Sequence, residues 1–147
     1  MPFSGPIEDR NAIRDLYDAY ADAACRGDRA DWLACFAEDG NWWTHYFDVT
    51  GHAAIGAQYD QLMANVKTTI FQSQVGSIEI EGDSAHCRAL SCERLLINPE
   101  GEMRLSGIYH DDLVRRDGKW LFSKRIYKVS SEELIQPHTP VPQTITG

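Results

Sequence analysis

The sequence predicts an α+β domain in which a curved antiparallel sheet carries helices on one face. Helical spacing of apolar residues dominates the first 66 residues, whereas alternating strand patterns separated by turn signals fill residues 69–129. Helices followed by a run of consecutive strands are typical of this class. A length of 147 residues suits one domain, which we place at 1–134, followed by a proline-containing tail at 135–147.

The first helix is predicted to end at Gly27 and the second to begin after Asp28. Glycine readily adopts the left-handed conformation that follows a helix, and the Asp28 carboxylate can cap the next helix. The second helix would direct Trp32, Leu33 and Phe36 inward. The first helix carries its apolar residues on one face: Ile13, Leu16, Tyr17, Tyr20, Ala21 and Ala24.

An aromatic segment and a third helix follow. Residues 41–49 (NWWTHYFDV) are predicted to form a single strand, because aromatic side chains are enriched in strands. Both faces of this strand are apolar, so the sequence leaves open which one points inward. Residues 51–66 return to helical spacing, with one face formed by Ile55, Tyr59, Leu62, Met63 and Val66.

Four strands complete the predicted sheet, at 71–80, 85–97, 102–116 and 119–129. The segment NPEG before the third of these predicts a type I turn with a glycine bulge, and Asp117-Gly118 predicts a two-residue hairpin turn. The turns define these opposed pairs: Glu93 with Gly107, Ser91 with Tyr109, Ala89 with Asp111, Leu113 with Phe122, and Asp111 with Lys124.

The pairing sorts the strand residues into two faces. The inner face collects Ala85, Cys87, Ala89, Leu95, Ile97, Met103, Leu105 and Leu113. The outer face collects Leu90, Ile108, Val114, Leu121, Tyr127 and Val129 among charged residues. A half-apolar outer face predicts a homodimer that covers it.

Composition narrows the function classes. A net charge of −8 argues against a nucleic-acid partner, because phosphate binding needs clustered Lys and Arg. The first ten residues do not resemble a signal peptide and no run of 18 apolar residues predicts a membrane span. The four cysteines lack the spacing of a metal site. We therefore expect a cytoplasmic protein with reduced thiols and without a cofactor.

Glu93 is the most informative polar residue, because it falls on the apolar inner face near Tyr109 and Asp111. A carboxyl group there is either paired or has a raised pKa, as a general acid or base requires. A salt bridge, or a register error of one residue that places Glu93 in water, is the alternative. Tyr109 either lines a pocket or packs, and an ion pair with Lys124 is the favoured role of Asp111.

Two further residues have reactive side chains, but the sequence does not support a catalytic role for either. His45 lies in the aromatic segment, where a packed or surface histidine is the favoured interpretation over a proton carrier. Cys25 lies near the end of the first helix, where the helix dipole disfavours a thiolate. A buried, inert thiol is therefore predicted at Cys25.

Three segments carry a family resemblance. AIRDLYDAYADAACRGDRADWLACFAEDGNW, IEIEGDSA and SGIYHDDLVRRDGKWLFSKR resemble, in this order, segments of SnoaL-like proteins in the nuclear-transport-factor-2-like superfamily. The resemblance covers roughly residues 7–130. It implies a cone in which a bent sheet wraps a long helix and leaves an apolar pocket, usually in a dimer.

The scytalone and bile-acid dehydratase branch is most similar in the first helix, yet its catalytic pair is missing. The position of its aspartate holds Cys25, and the position of its histidine falls near Phe71 or Gln72. Tyr20 alone matches that pattern. The resemblance therefore implies either different chemistry or binding without catalysis.

Two hypotheses of function result. In the first, the protein is a lyase or isomerase that binds a small apolar, aromatic or polycyclic molecule and uses Tyr20, Glu93 and Tyr109 for acid–base chemistry. The residues expected to line the pocket are Trp42, Tyr46, Met63, Phe71, Asp111 and Phe122. In the second, the protein is a non-catalytic ligand-binding or accessory domain, similar to dioxygenase β subunits. A structural dimer whose pocket is filled by side chains is a third possibility.

Overall fold

The computed structural model describes residues 2–99 and 101–136 and has the predicted α+β architecture. Within the described residues, three helices and three short or medium strands come first, and four long strands follow. Their bounds are β1 Phe3–Ser4, α1 Ile7–Arg26, α2 Arg29–Ala34, β2 Phe36–Thr44, β3 Phe47–Thr50, α3 His52–Met63, β4 Val66–Glu81, β5 Ser84–Ile97, β6 Gly101–Arg116 and β7 Lys119–Ile135. No helix within the described ranges has the length and apolarity to cross a membrane.

The seven strands form one curved, unclosed sheet in the order β1-β4-β5-β6-β7-β2-β3. The four strands β4 to β7 form the predicted antiparallel meander. Two parallel pairs extend it, β1 with β4 and β2 with β7, and the sequence did not indicate either. The predicted tail begins at the end of β7, and its residues 137–147 lie outside the described residues.

The helix boundaries follow the predicted local chemistry. Gly27 ends α1 with a φ of 68°, and Asp28 caps α2 by accepting a hydrogen bond from the Asp31 backbone N–H at 2.9 Å. The buried face of α1 packs against the concave side of the sheet and consists of Ile13, Tyr17, Tyr20 and Ala23. This packing places one face of α1 in the core along most of the length of the helix.

The prediction of a single strand at 41–49 is wrong. The chain turns at residues 45–46, so that Thr44 of β2 pairs with Phe47 of β3 in a hairpin. The Thr44 hydroxyl accepts a hydrogen bond from the Tyr46 N–H at 3.0 Å and stabilises this turn. Trp42 and Thr44 are buried, which settles the inward face of β2.

The predicted register of β5 against β6 is wrong by two residues. Pairing continues to Ile97 and Gly101, so Glu93 lies opposite Leu105 and Ala89 lies opposite Tyr109. Because side chains alternate with a period of two, a shift by two residues leaves each one on its predicted face. Glu93 therefore does face inward.

The pair Leu113–Phe122 is confirmed, but Asp111 does not lie opposite Lys124. The register shifts between Asp112 and Leu113, and Asp111 faces Arg125 instead. An extra residue in one strand inverts the alternation beyond it.

The inverted alternation in β7 changes which residues belong to the outer face. Tyr127 and Val129, predicted to point outward, belong to the inner face, where the Tyr127 ring stacks on Tyr109 with centroids 4.4 Å apart. Leu90 and Ile108 remain outside and are 49% and 39% exposed. The outer apolar surface is therefore smaller than predicted, and a homodimer over it stays a prediction.

Gly107 is expected to be intolerant of a side chain. A Cβ atom there would lie 2.6 Å from Cε2 of Tyr127 and would collide with the Lys128 carbonyl oxygen. We expect Gly107→Ala to lower the free energy of unfolding by about 2 kcal/mol, because such crowding displaces a packed ring and a backbone. Urea denaturation measures the change. In Gly76→Ala the added Cβ meets its nearest neighbour at 3.8 Å, so this control should lose much less stability.

Candidate functional site

A cavity of about 650 Å³ lies between the concave face of the sheet, the end of α1 and helix α3. Seven of the nine residues predicted for the site line it: Tyr20, Trp42, Tyr46, Met63, Phe71, Glu93 and Tyr109. The lining is mainly apolar and aromatic, as in most small-molecule sites. The cavity opens to solvent where Tyr46 and Leu62 are exposed.

The strand register places the carboxyl groups of Glu93 and Glu132 in one row that runs across the strands of the cavity wall. Phe71 of β4, Glu93 of β5, Leu105 of β6 and Glu132 of β7 are successive partners across the sheet, and all four line the cavity. Adjacent strands are roughly 4.8 Å apart. The two carboxylates therefore flank Leu105 on a shared wall.

Glu93 is half-buried at the inner end of the cavity. The Tyr109 hydroxyl donates a hydrogen bond to its Oε1 at 3.4 Å. Burial raises the pKa of Glu93 from 4.5 to about 7, and this hydrogen bond and the positive charge of Arg125 oppose the rise. A carboxyl group with this pKa can both accept and donate a proton near neutral pH.

Tyr20 and Tyr109 are almost fully buried beside Glu93. Burial raises the pKa of each phenol well above its usual value. Both therefore keep their protons at neutral pH and serve as hydrogen-bond donors. The Tyr20 ring packs edge-on against Phe71, with centroids 5.4 Å apart, and this contact fixes its position.

Asp111 and Phe122, predicted to bind ligand, lie in the core beneath the cavity. Arg125, fully buried, donates from Nε and Nη2 to the two Asp111 oxygens, both at 3.0 Å. Tyr17 donates a third hydrogen bond to Asp111 Oδ2 at 2.5 Å. Asp111 is thus in an ion pair, as favoured, but with Arg125 in place of Lys124. Phe122 is fully buried.

Arg125 is enclosed by aromatic rings. Its guanidinium carbon lies 3.8 Å from the Tyr109 ring centroid and 4.4 Å from that of Tyr20. These two rings line the cavity, so they separate the guanidinium from it. Burial would lower the pKa of Arg125, but Asp111 and the surrounding tyrosines raise it overall. Arg125 is therefore a permanent cation behind the cavity wall.

The tip of the β2–β3 hairpin reaches the cavity opening. Tyr46 lines the cavity, is 66% exposed, and donates a hydrogen bond from its hydroxyl to Glu132. His45 Nε2 lies 3.8 Å from the other Glu132 oxygen. The side chain of His45 is half-exposed, in agreement with the interpretation of a surface histidine.

Cys25 is exposed, and the prediction of a buried thiol is wrong. Its Sγ accepts a hydrogen bond from the Phe71 N–H at 3.2 Å and lies 3.6 Å from the Phe71 carbonyl oxygen, to which it donates. Cys25 thus contacts Phe71, which is one of the two positions, with Gln72, near which the resemblance places the dehydratase histidine. Neither a phenyl ring nor the amide of Gln72 can perform the proton transfer of a histidine.

Sequence reasoning missed three residues of the site. Tyr127 was assigned to the wrong face because the bulge after Asp112 had no sequence signal. Glu132 was missed because β7 was predicted to end at residue 129, whereas it continues to Ile135. Arg125 was missed for the same reason as Tyr127, because the bulge brings Arg125 rather than Lys124 opposite Asp111. No group of acidic, Cys or His side chains in the described ranges is arranged to hold a metal ion.

Comparisons with known proteins agree with the fold. The family model of the SnoaL-like domain matches residues 6–126. No curated protein matches the chain.

Three solved structures illustrate the likeness in fold. One is assigned as a scytalone dehydratase from Novosphingobium aromaticivorans, with 19% identity, a TM-score of 0.79, and 96% of this chain and 95% of that chain covered. A type 2 hexachlorocyclohexane dehydrochlorinase has 17% identity, a TM-score of 0.82, and 95% and 97% covered. A third, assigned as an aromatic ring hydroxylase from N. aromaticivorans, has 25% identity, a TM-score of 0.79, and 90% and 95% covered.

Proposed function

Because this chain belongs to the SnoaL-like domain family, we propose that its cone binds a small apolar cyclic molecule and acts on it as a lyase or isomerase by acid–base chemistry. The single observation that carries the proposal is Glu93, a half-buried carboxyl group with a raised pKa at the inner end of an apolar cavity. Such perturbed groups in clefts are typical of catalytic acids and bases.

The proposed roles follow from protonation states. Ionised Glu93 takes a proton from a ring carbon, and the electron pair of that C–H bond forms a C=C bond. In an elimination, a leaving group departs from the neighbouring carbon. In an isomerisation, Glu93 returns the proton to a different carbon. Tyr20 remains protonated and donates a hydrogen bond to an oxygen of the substrate as charge develops on it. Tyr109 also remains protonated, and its hydrogen bond to Oε1 of Glu93 positions the carboxylate that takes the proton.

The names of two structural neighbours support elimination as the reaction class. They are a dehydratase and a dehydrochlorinase, which remove water and hydrogen chloride from their own substrates. The identities of 19% and 17% carry the fold alone. The choice of reaction here therefore depends on Glu93 and its tyrosine neighbours.

A non-catalytic ligand-binding or accessory domain is the second candidate function. The contact between Cys25 and Phe71 favours it, because the acid–base pair of the resembling dehydratases is replaced at both positions. Glu93 favours catalysis, because it lies on an open cavity and is hydrogen-bonded by Tyr109 rather than sealed in an ion pair. Turnover distinguishes the two functions, whereas both require ligand binding.

A screen for binding and turnover tests the proposal. Neutral cyclic alcohols, β,γ-unsaturated polycyclic ketones and halogenated cyclohexanes would be tested for thermal stabilisation of the protein and for product formation by mass spectrometry. A ligand present at 100 times its dissociation constant stabilises the fold by about 2.7 kcal/mol. Stabilisation with product supports the lyase or isomerase, and stabilisation without product supports the accessory domain.

We expect Leu105→Trp to abolish ligand binding. Leu105 lies between Glu93 and Glu132 on the cavity wall, so an indole there fills the space above both. The matched control is Leu90→Trp, the same substitution at an exposed position on the opposite face of the sheet. Thermal shift with a ligand from the screen should disappear in the first variant and persist in the second. Equal binding by both variants would contradict a ligand site in this cavity.

A further inference from the structure

The charges that line the cavity are all of one sign. Glu93 and Glu132 line it, whereas no Lys, Arg or His lining residue occurs in the described ranges 2–99 and 101–136. His45 approaches Glu132 at the opening, but its side chain is half-exposed to solvent. A ligand therefore meets one carboxyl group inside the cavity, that of Glu93, and a second at its opening, that of Glu132, to which Tyr46 donates a hydrogen bond.

The buried cation Arg125 acts on the charge of Glu93 but is not accessible to a ligand. Arg125 forms two hydrogen bonds with Asp111, and this ion pair has no net charge. The rings of Tyr20 and Tyr109 lie between Arg125 and the cavity. A carboxylate ligand would thus have no accessible positive partner in the described part of the wall.

The aromatic lining favours the opposite charge. Nine of the 25 described lining residues are Phe, Tyr or Trp, and the faces of such rings attract ammonium groups. Glu132 lies at the opening, one β6 strand away from Glu93 across Leu105. Backbone positions two strands apart are separated by roughly 10 Å, so a molecule can place a cation at Glu132 while its ring reaches Glu93.

We infer that the cavity selects its ligand by charge: it takes a hydrophobic ring system that bears a basic nitrogen, Glu132 binds the ammonium group, and carboxylates are excluded. This inference rests on the proposed function, since it assigns the charge of the molecule that the acid–base site would take. The negative charge that Glu93 gains on ionisation strengthens the same preference.

Three probes of one shape test the inference: 2-naphthylmethylamine, 2-naphthylmethanol and 2-naphthoate, with dissociation constants measured by calorimetry near pH 7.5. We expect the amine to bind at least about tenfold more tightly than 2-naphthoate, with the alcohol between them. Glu132→Gln should reduce this ratio at least threefold. The matched control is Glu133→Gln, because Glu133 is adjacent on β7 and does not line the cavity; it should leave the ratio unchanged.

The outcomes separate the inference from the proposed function. Binding of the alcohol with equal affinities for amine and 2-naphthoate would overturn charge selection and leave the ligand site intact. A ratio that is unchanged in Glu132→Gln, or reduced equally in Glu133→Gln, would overturn the role of Glu132. Failure of all three probes to bind would overturn both the inference and the proposed ligand site.

Discussion

Arg125→Met is expected to lower the free energy of unfolding by about 3–5 kcal/mol, because it leaves a buried carboxylate without its cation. Arg125 and Asp111 are both almost fully buried. The variant loses both hydrogen bonds between them, because methionine has no donor group. Among the side chains of residues 2–99 and 101–136, Tyr17 still donates a hydrogen bond to Asp111. Urea denaturation near pH 7.5 measures the loss, which is a large part of the stability of an ordinary domain.

The double variant Asp111→Asn/Arg125→Met separates charge from packing. Asparagine keeps the shape of Asp111 without its charge, so the double variant should be more stable than Arg125→Met alone. The stability of Arg125→Met should also improve on acidification. Without Arg125 the folded-state pKa of Asp111 lies above its unfolded value, so the contribution is favourable at low pH and is lost as pH rises through the folded pKa. A double variant no more stable than the single one would show that packing of the guanidinium on the rings dominates.

Much of the fold could be predicted because its signals are local. Asp117 and Gly118 both adopt positive φ, at 51° and 76°, as a two-residue hairpin turn requires. Gly27 ends the first helix for an equally local reason. By contrast, the parallel pairing of β2 with β7 joins residues that are far apart in sequence, such as Phe36 and Phe122, and no short-range pattern encodes it.

The site was harder to predict, because two side chains depend on long-range geometry. The inward position of Glu93 was predicted correctly although the predicted β5–β6 register was wrong by two residues, because a shift by two residues preserves the face. The face of Tyr127 was predicted wrongly, because the register shift between Asp112 and Leu113 moves the following residues of β7 to the opposite face. Nothing at Asp112 signals the bulge locally. Its effect is to bring Arg125 rather than Lys124 opposite the buried Asp111.

Glu93→Gln is expected to lower kcat by about 10²- to 10⁴-fold on any substrate that the screen identifies, the usual contribution of a general base. Glutamine has nearly the same shape and can still accept the hydrogen bond from Tyr109, so KM should change little. Steady-state kinetics measures both quantities. Turnover close to that of the wild type would rule out Glu93 as the base and would assign the proton transfer to another group.

The pH dependence supplies a second, substrate-free readout of the same residue. Because the folded-state pKa of Glu93 is raised from 4.5 to about 7, its contribution to stability is fully present below pH 4.5 and is lost as pH rises through 7. Glutamine is neutral throughout, so the free energy of unfolding of Glu93→Gln should match that of the wild type near pH 4 and exceed it above pH 7, by at most about 3 kcal/mol.

The catalytic activity of the wild type should have the opposite pH dependence, rising with pH through about 7 as the base ionises. Tyr109→Phe removes a hydrogen bond that lowers this pKa, so both midpoints should move to higher pH, whereas unchanged midpoints would mean that another group titrates.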